Sequence, residues 1–203
     1  MQATHAATGA ARIGPNAIIQ TVGALEEAWG REETRGFLRR MGRSDLVERL
    51  PTTMVDEQEF VALIDALRAE AGIAEAGRVL ARSGERTAGY LLAHRIPRPA
   101  HRVLPLLPPA AGLRVLLKAI AAHAWTFAGT GRFSYAVGRG EAVLRLADCP
   151  ECRGAAAAEP ICRYYEQCFQ TLLRTLIDRR VRVRETGCVA SGAEACTFTV
   201  TWR

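Results

Sequence analysis

Apolar positions in the first half of the chain recur at helical spacing, three or four residues apart. The pattern predicts helices over residues 15–29, 32–41, 57–72, 73–96 and 113–127. Asp56 precedes the third of these with a side chain suited to an N-cap, and Gly72 is expected to end it. Five prolines from Pro97 to Pro109 predict an irregular connector before the last helix.

From Arg132 onward the apolar positions alternate instead. Phe133 and Tyr135 share one face of a predicted strand, and a second strand follows the turn at residues 138–140. Pro160 is expected to open a helix, and strands over residues 181–185 and 196–202 follow it. The predicted fold class is α+β. A helical half (residues 13–128) packs on a small antiparallel sheet (residues 129–203) in one domain, and residues 1–12 are expected to be a disordered tail.

The composition is that of an ordinary globular protein, with 49% apolar and 24% charged residues. No apolar run reaches the roughly 20 residues of a membrane span, and the first residues lack the order of a signal peptide, so we expect a cytoplasmic protein. The net charge of +6 comes from arginine, since Lys118 is the only lysine. The basic clusters alternate with apolar residues, so nucleic acid is not an expected partner.

Six cysteines occur, all in the last third of the chain: Cys149, Cys152, Cys162, Cys168, Cys188 and Cys196. In the reducing compartment expected here, such a group favours metal binding over disulfides. Alternation along the strand at 181–185 places Glu185 on the apolar face, and Cys196 faces the same way from the next strand. A buried carboxylate needs a partner, because an unpaired buried charge is very costly.

The first predicted metal site is a four-residue set with three thiolates and one carboxylate. It consists of Cys162, Glu185, Cys188 and Cys196, a donor set that Zn²⁺ accepts, and with no open position the zinc would be structural. Two alternatives stay open. One treats the cysteines as small core residues, an interpretation favoured for Cys168. In the other, Cys149 and Cys152 of a Cys-x-x-Cys loop form a redox pair or join Cys188 and Cys196 in a competing ligand set.

Three segments resemble the vinyl-4-reductase domain family: PICRYYEQCF at 160–169, ETGC at 185–188 and EACTF at 194–198. The resemblance covers about residues 132–203 and implies an α+β ligand-binding fold whose zinc ligands fall on the four residues of the predicted set. Family members include phenol-sensing transcription activators, archaeal proteins and a bacteriochlorophyll biosynthesis protein. This chain has no G-x-x-x-x-G-K-[ST] motif and no predicted DNA-binding helix pair, which favours the biosynthetic branch.

On that branch the resemblance implies a magnesium tetrapyrrole ligand, such as a divinyl protochlorophyllide, whose ring vinyl group is reduced in the pathway. The implied partners are the other enzymes of bacteriochlorophyll synthesis, at or near photosynthetic membranes, and a helix-mediated homodimer is expected. Vinyl reduction needs a nicotinamide, flavin or iron–sulfur donor. No G-x-G-x-x-G follows a predicted strand, and the cysteine spacing is not that of a ferredoxin.

A carrier without catalytic residues is therefore favoured over a true vinyl reductase using an external donor, and over a sensing or scaffolding module. A chelated Mg²⁺ takes an axial ligand, for which His123 is preferred to His94 and His101. Arginine suits the propionate groups. The candidate ligand-binding residues are His123, Trp125, Phe127, Tyr135, Tyr90 and Arg98. Each of the aromatic residues fits a core position equally well.

Overall fold

Eight α-helices and two antiparallel sheets make up the computed structural model, which describes residues 11–202. The helices are α1 (Asn16–Trp29), α2 (Arg31–Arg40), α3 (Ser44–Glu48), α4 (Glu57–His94), α5 (Arg98–Val103), α6 (Pro109–Ala122), α7 (Trp125–Ala128) and α8 (Arg163–Leu176). Strands β1 (Arg12–Ile13) and β2 (Val55–Asp56) pair with each other. The main sheet has the order β3–β4–β6–β5, with β3 Arg132–Val137, β4 Glu141–Ala147, β5 Arg182–Gly187 and β6 Cys196–Thr201. The α+β prediction is confirmed.

Helix α4 begins and bends where the sequence predicts. The Asp56 side chain accepts a hydrogen bond from the Gln58 N–H at 2.9 Å, and the Glu59 side chain accepts one from the Asp56 N–H, which completes a capping box. Gly72 has φ 75°, a conformation that favours glycine, and it divides α4 into two helical segments. The predicted helix end at Gly72 is confirmed as this break.

The main sheet has one buried and one exposed face. Leu144, Phe198 and Val200 are fully buried on the inner face, whereas the β6 threonines and the β5 arginines point outward. On the inner face, α8 packs against β5 and α6 packs against β3. Helix α4 covers α8 from the other side, and α1 covers α4. The start of α8 therefore lies between the sheet and the helical layers, which positions the site described below.

Two predicted helix boundaries differ from the structure, one beside a local contact and one beside a contact with a distant residue. The helix predicted over 113–127 ends at Ala122, and α7 is a separate short helix. At the end of α6 the His123 Nδ1 lies 2.9 Å from the Ala119 carbonyl oxygen. The last helix begins at Arg163 rather than at Pro160, because the Cys162 N–H is bonded to the Glu185 side chain. Of the predicted tail, residues 1–10 lie outside the described residues, and Arg12 belongs to β1.

Within residues 11–202, no helix has both the length and the apolar character needed to cross a membrane.

Candidate metal centre

Five cysteines and one glutamate meet at the start of α8, and we call this group the thiol cluster. Its members are Cys149 and Cys152 in the loop after β4, Cys162 at the N-cap of α8, Glu185 on β5, Cys188 just after β5, and Cys196 at the first residue of β6. Each cysteine is at most 1% exposed. The structure thus brings together all four predicted zinc ligands and adds both cysteines of the Cys-x-x-Cys loop.

A bulge in β5 allows Glu185 and Cys188 to point to the same side. Glu185 pairs with Phe198 on the buried face, but the next pair is Gly187 with Thr197 on the exposed face, so Thr186 is an extra residue. In an unbroken strand, residues three apart would point to opposite faces. The extra residue reverses the alternation and returns Cys188 to the inner side beside Glu185.

The donor atoms form two overlapping groups of four. Cys162, Glu185, Cys188 and Cys196 make one group, Cys149, Cys152, Cys162 and Cys196 make the other, and in each the ligand atoms lie within 4.8 Å of one another. The Cys162 sulfur lies 3.7 Å from that of Cys188 and 3.4 Å from that of Cys196. A tetrahedral ion with Zn–S bonds of about 2.3 Å separates its sulfurs by about 3.8 Å. Both groups therefore have the size that a thiolate-bound metal ion requires.

Glu185 carries an unpaired buried oxygen of the kind that a cation satisfies. The residue is 4% exposed, and its Oε2 accepts the Cys162 N–H at 2.7 Å, but its Oε1 has no hydrogen-bond partner among residues 11–202. Burial raises the pKa of this carboxyl to about 8. A divalent ion held by Glu185 and the neighbouring sulfurs would supply a partner for this oxygen, so the residues present fit a metal ion.

A second buried carboxylate, Glu151, fixes the Cys-x-x-Cys loop, and sequence reasoning did not find it. Glu151 is 1% exposed, and its two oxygens accept the backbone N–H groups of Tyr164 at 2.8 Å and Tyr165 at 3.1 Å, in the first turn of α8. Arg68 of α4 donates to the Glu151 carbonyl at 2.6 Å. Burial raises the pKa of the Glu151 carboxyl well above its ordinary value, although both N–H bonds oppose this. The loop is thereby held against the helix that presents Cys162.

The far end of the same loop is anchored by an ion pair between a buried glutamate and a partly exposed arginine. Glu57, 2% exposed at the first turn of α4, accepts from Arg153 at 2.7 Å and from the Thr130 N–H and hydroxyl, each at 2.9 Å. Arg153 directly follows Cys152 and also bonds the Asp148 carbonyl at 3.0 Å. Burial alone would raise the pKa of Glu57, but the bonds to Arg153 and Thr130 outweigh it and hold that pKa below its ordinary value.

Cys168 lies outside both groups. It is 8% exposed on α8 and packs with Ala88 and Leu172. Burial in these apolar surroundings raises the pKa of its thiol to about 12. Its position agrees with the interpretation of Cys168 as a small core residue.

The predicted ligand-binding residues lie in three different settings. His123 and Trp125 are exposed after α6, where the His123 Nδ1 lies 2.9 Å from the Ala119 carbonyl and Trp125 is 61% exposed. Phe127 and Tyr135 are half-buried, and both belong to an aromatic layer that packs around Phe133.

Tyr90 and Arg98 form the third setting, near the end of α4. The Tyr90 ring packs on His94 with centroids 4.8 Å apart, and Arg98 is exposed at the first position of α5. A polar cleft of about 670 Å³ lies elsewhere, between β2 and α3, and is lined by residues such as Arg43 and Glu59. None of the six candidate ligand-binding residues lines that cleft.

Comparison with known proteins places this chain in a family. The vinyl-4-reductase domain model matches residues 142–201, a range that contains the whole thiol cluster. The chain is 38% identical over 188 residues to the bacteriochlorophyll synthase 23 kDa chain of Cereibacter sphaeroides, covering 92% of this chain and 89% of that protein. It is also 38% identical over 187 residues to the protein of the same name from Rhodobacter capsulatus, covering 92% and 85%.

A solved structure supports the fold. The phenol-responsive sensory domain of the transcription activator PoxR, determined with phenol, superposes with a TM-score of 0.55 at 14% identity, over 72% of this chain and 74% of that one. At this identity the likeness concerns the fold alone, and the near full-length sequence identity carries the family assignment. The chain belongs to the vinyl-4-reductase domain family of purple photosynthetic bacteria, together with the bacteriochlorophyll synthase 23 kDa chains.

Proposed function

We propose that this chain serves bacteriochlorophyll biosynthesis as an accessory subunit that binds a magnesium tetrapyrrole and presents it to the pathway enzymes. The identity with two bacteriochlorophyll synthase 23 kDa chains over 92% of this chain carries the proposal. Those relatives are named as one chain of a synthase, which supports pathway enzymes as partners. A divinyl protochlorophyllide-like intermediate is the proposed ligand, because such compounds carry both the vinyl group and the central Mg²⁺.

His123 is the proposed axial ligand of the tetrapyrrole Mg²⁺. The ring Nδ1 lies 2.9 Å from the Ala119 carbonyl, and with the proton on Nδ1 this contact leaves the Nε2 lone pair free to coordinate a metal. The residue is exposed, so a macrocycle can reach it without a change of fold. Trp125, 61% exposed and two residues further on, offers an aromatic face for the flat ring.

Binding and reduction are separated by one titration. Divinyl chlorophyllide is added to the purified protein with NADPH, the absorption bands are followed, and the pigment is extracted and analysed for ethyl product. We expect a band shift without ethyl product, and the shift should disappear in His123→Ala but persist in His94→Ala, which removes another exposed histidine. Formation of ethyl product would overturn the carrier role and show that the protein is a reductase. An absorption spectrum that stays unchanged at micromolar protein would refute the proposal that the ligand is a tetrapyrrole.

We also propose that Cys162, Glu185, Cys188 and Cys196 hold a structural Zn²⁺. Three thiolates and one carboxylate fill a tetrahedral shell and leave no open position for substrate. The ion would join the β5–β6 hairpin to the start of α8. Metal analysis of the purified protein tests this assignment, and at least one zinc ion per chain is expected. Zinc retained at the wild-type level in Cys188→Ser would refute the ligand assignment.

The proposed homodimer uses the exposed apolar residues of α5, α6 and the turn between them. Val103 is 53%, Leu106 82% and Val115 57% exposed, a concentration that favours a protein contact. Sedimentation equilibrium should give a dimer for the wild type and for Ile73→Glu, which changes an exposed apolar residue on α4. Leu106→Glu should give a monomer. A monomeric wild type would refute the homodimer and leave the surface to a pathway enzyme.

A further inference from the structure

The thiol cluster contains more donor atoms than one tetrahedral ion can use. Each four-residue group is complete by itself, and the two groups share Cys162 and Cys196. If one ion occupied the group with Glu185, Cys149 and Cys152 would remain as buried thiols beside it. The Cys149 sulfur lies 3.7 Å from that of Cys162, and the Cys152 sulfur lies 3.3 Å from that of Cys196.

We propose that the cluster holds two divalent thiophilic ions of the Zn²⁺ class, bridged by the sulfurs of Cys162 and Cys196. The first position has the further ligands Glu185 and Cys188, and the second has Cys149 and Cys152. This inference rests on the zinc site proposed above and adds a second metal position to it. Each ion then has four ligands, the number that zinc takes in structural sites.

The charges of the cluster favour two ions over one. Five thiol groups and one carboxyl group are buried together, and if all of them were ionised a single divalent ion would offset two of the six negative charges. With one ion, the thiols outside its shell would have to stay protonated, because an unpaired thiolate in the interior is very costly. Two ions offset most of the charge, and the N-terminal end of α8, capped by Cys162, adds its positive dipole on the same side.

The anchoring of the Cys-x-x-Cys loop is the independent observation for the second position. The loop carboxyl group caps the first turn of α8 and so fixes the two loop cysteines beside Cys162. Here Glu151 is 1% exposed and uses both oxygens on the first turn of α8, so the loop is held on the helix that supplies Cys162. Arg68 holds the same loop through the Glu151 carbonyl. Such outer contacts orient ligands around a metal ion.

The test is the number of ions per chain. The full-length protein, purified with zinc and freed of loosely bound metal by gel filtration, is measured by native mass spectrometry and by elemental analysis. We expect two ions per wild-type chain, one in Cys152→Ser and one in Cys188→Ser, because each variant removes a ligand of one position only. Cys168→Ser is the matched control, since its buried thiol on α8 lies outside both groups, and it should keep two.

Cadmium-113 NMR provides a readout that does not depend on the variants. The protein loaded with ¹¹³Cd should give two resonances, one for an all-sulfur shell and one for a shell with an oxygen ligand, coupled to each other through the shared sulfurs. If the serine variants fail to fold, these wild-type spectra and the ion count decide alone.

The outcomes for the two proposals are distinct. One ion per wild-type chain, with a single cadmium resonance, overturns the two-ion cluster and leaves the single zinc site standing. No bound ion overturns both. A single ion that survives Cys188→Ser but not Cys152→Ser overturns both assignments in favour of the all-cysteine group.

Discussion

A glycine in α4 sets how closely that helix approaches α8, the helix that begins after Cys162, and replacing it is a sharp test of the packing. A Cβ placed on Gly84 would lie 2.2 Å from the Tyr164 carbonyl oxygen and 3.0 Å from the Cys168 backbone nitrogen. Real Cβ atoms essentially never come closer than 3.0 Å, so Gly84→Ala must separate the two backbones by at least about 0.8 Å. Both contacts are main-chain atoms of α8, so no flexible side chain can move aside.

The magnitude follows from two opposing terms. Overpacking of this kind costs about 3 kcal/mol or somewhat more, and a gap of 0.5–1 Å forfeits a quarter to a half of each dispersion contact across the interface. Alanine recovers up to about 1 kcal/mol of helix propensity. We expect a net loss of about 2–3 kcal/mol in the free energy of unfolding, which for a chain of this size lowers Tm by about 4–12 °C.

Gly89→Ala is the matched control. It lies on the same helix, and a Cβ there meets nothing within 4 Å, so only the propensity gain remains. Thermal unfolding followed by circular dichroism should show Gly89→Ala slightly stabilised and Gly84→Ala clearly destabilised. Because Tyr164 is two residues from Cys162, Gly84→Ala should also lose zinc to a chelator faster. Equal Tm values for the two variants would refute the close approach of α4 and α8.

Three further results are expected. The bonds that lower the pKa of Glu57 contribute stability that is complete above its ordinary pKa of about 4.3 and is lost as the pH falls through the lower folded value. The difference in the free energy of unfolding between wild type and Glu57→Gln, measured in denaturant titrations, should therefore shrink on acidification below about pH 4. Glu151→Gln keeps one accepting oxygen and leaves one N–H at the start of α8 unpaired, which should cost about 1–3 kcal/mol and speed zinc loss, and an unchanged Tm would contradict this. Metal removal by a strong chelator should lower the Tm of wild type but hardly that of a variant already without metal, as measured by calorimetry.

The sequence was sufficient for elements that local chemistry decides. The Asp56 cap, the break at Gly72 and the hairpin around residues 138–140 all depend on residues within a few positions of each other, and each is confirmed. The start of α8 was predicted wrongly because it is set from a distance. Glu185, 23 residues later in the chain, takes the Cys162 N–H and makes Cys162 the N-cap. A proline at Pro160 carries no information about that bond.

Only the part of the site that depends on local sequence pattern could be predicted. Strand alternation places Glu185 on the buried face, and its burial is confirmed at 4% exposure. The β5 bulge at Thr186 leaves no clear pattern in the sequence, since it depends on how β5 pairs with β6. Glu151 was missed because a glutamate in a loop is usually solvated. Its burial follows from the tertiary position of the α8 N-terminus, where two N–H groups need an acceptor.

One residue of α8 connects the thiol cluster to the surface where we place the tetrapyrrole. The Tyr165 N–H bonds Glu151 in the Cys-x-x-Cys loop, and the Tyr165 hydroxyl donates to the Phe127 carbonyl in α7 at 2.7 Å. Helix α7 begins at Trp125, two residues after His123. A metal ion that fixes the start of α8 would therefore also fix the residue that holds α7 in place. A metal ion in the thiol cluster would then act on the proposed ligand binding through packing, because the cluster residues are buried and none of them reaches the exposed His123–Trp125 surface.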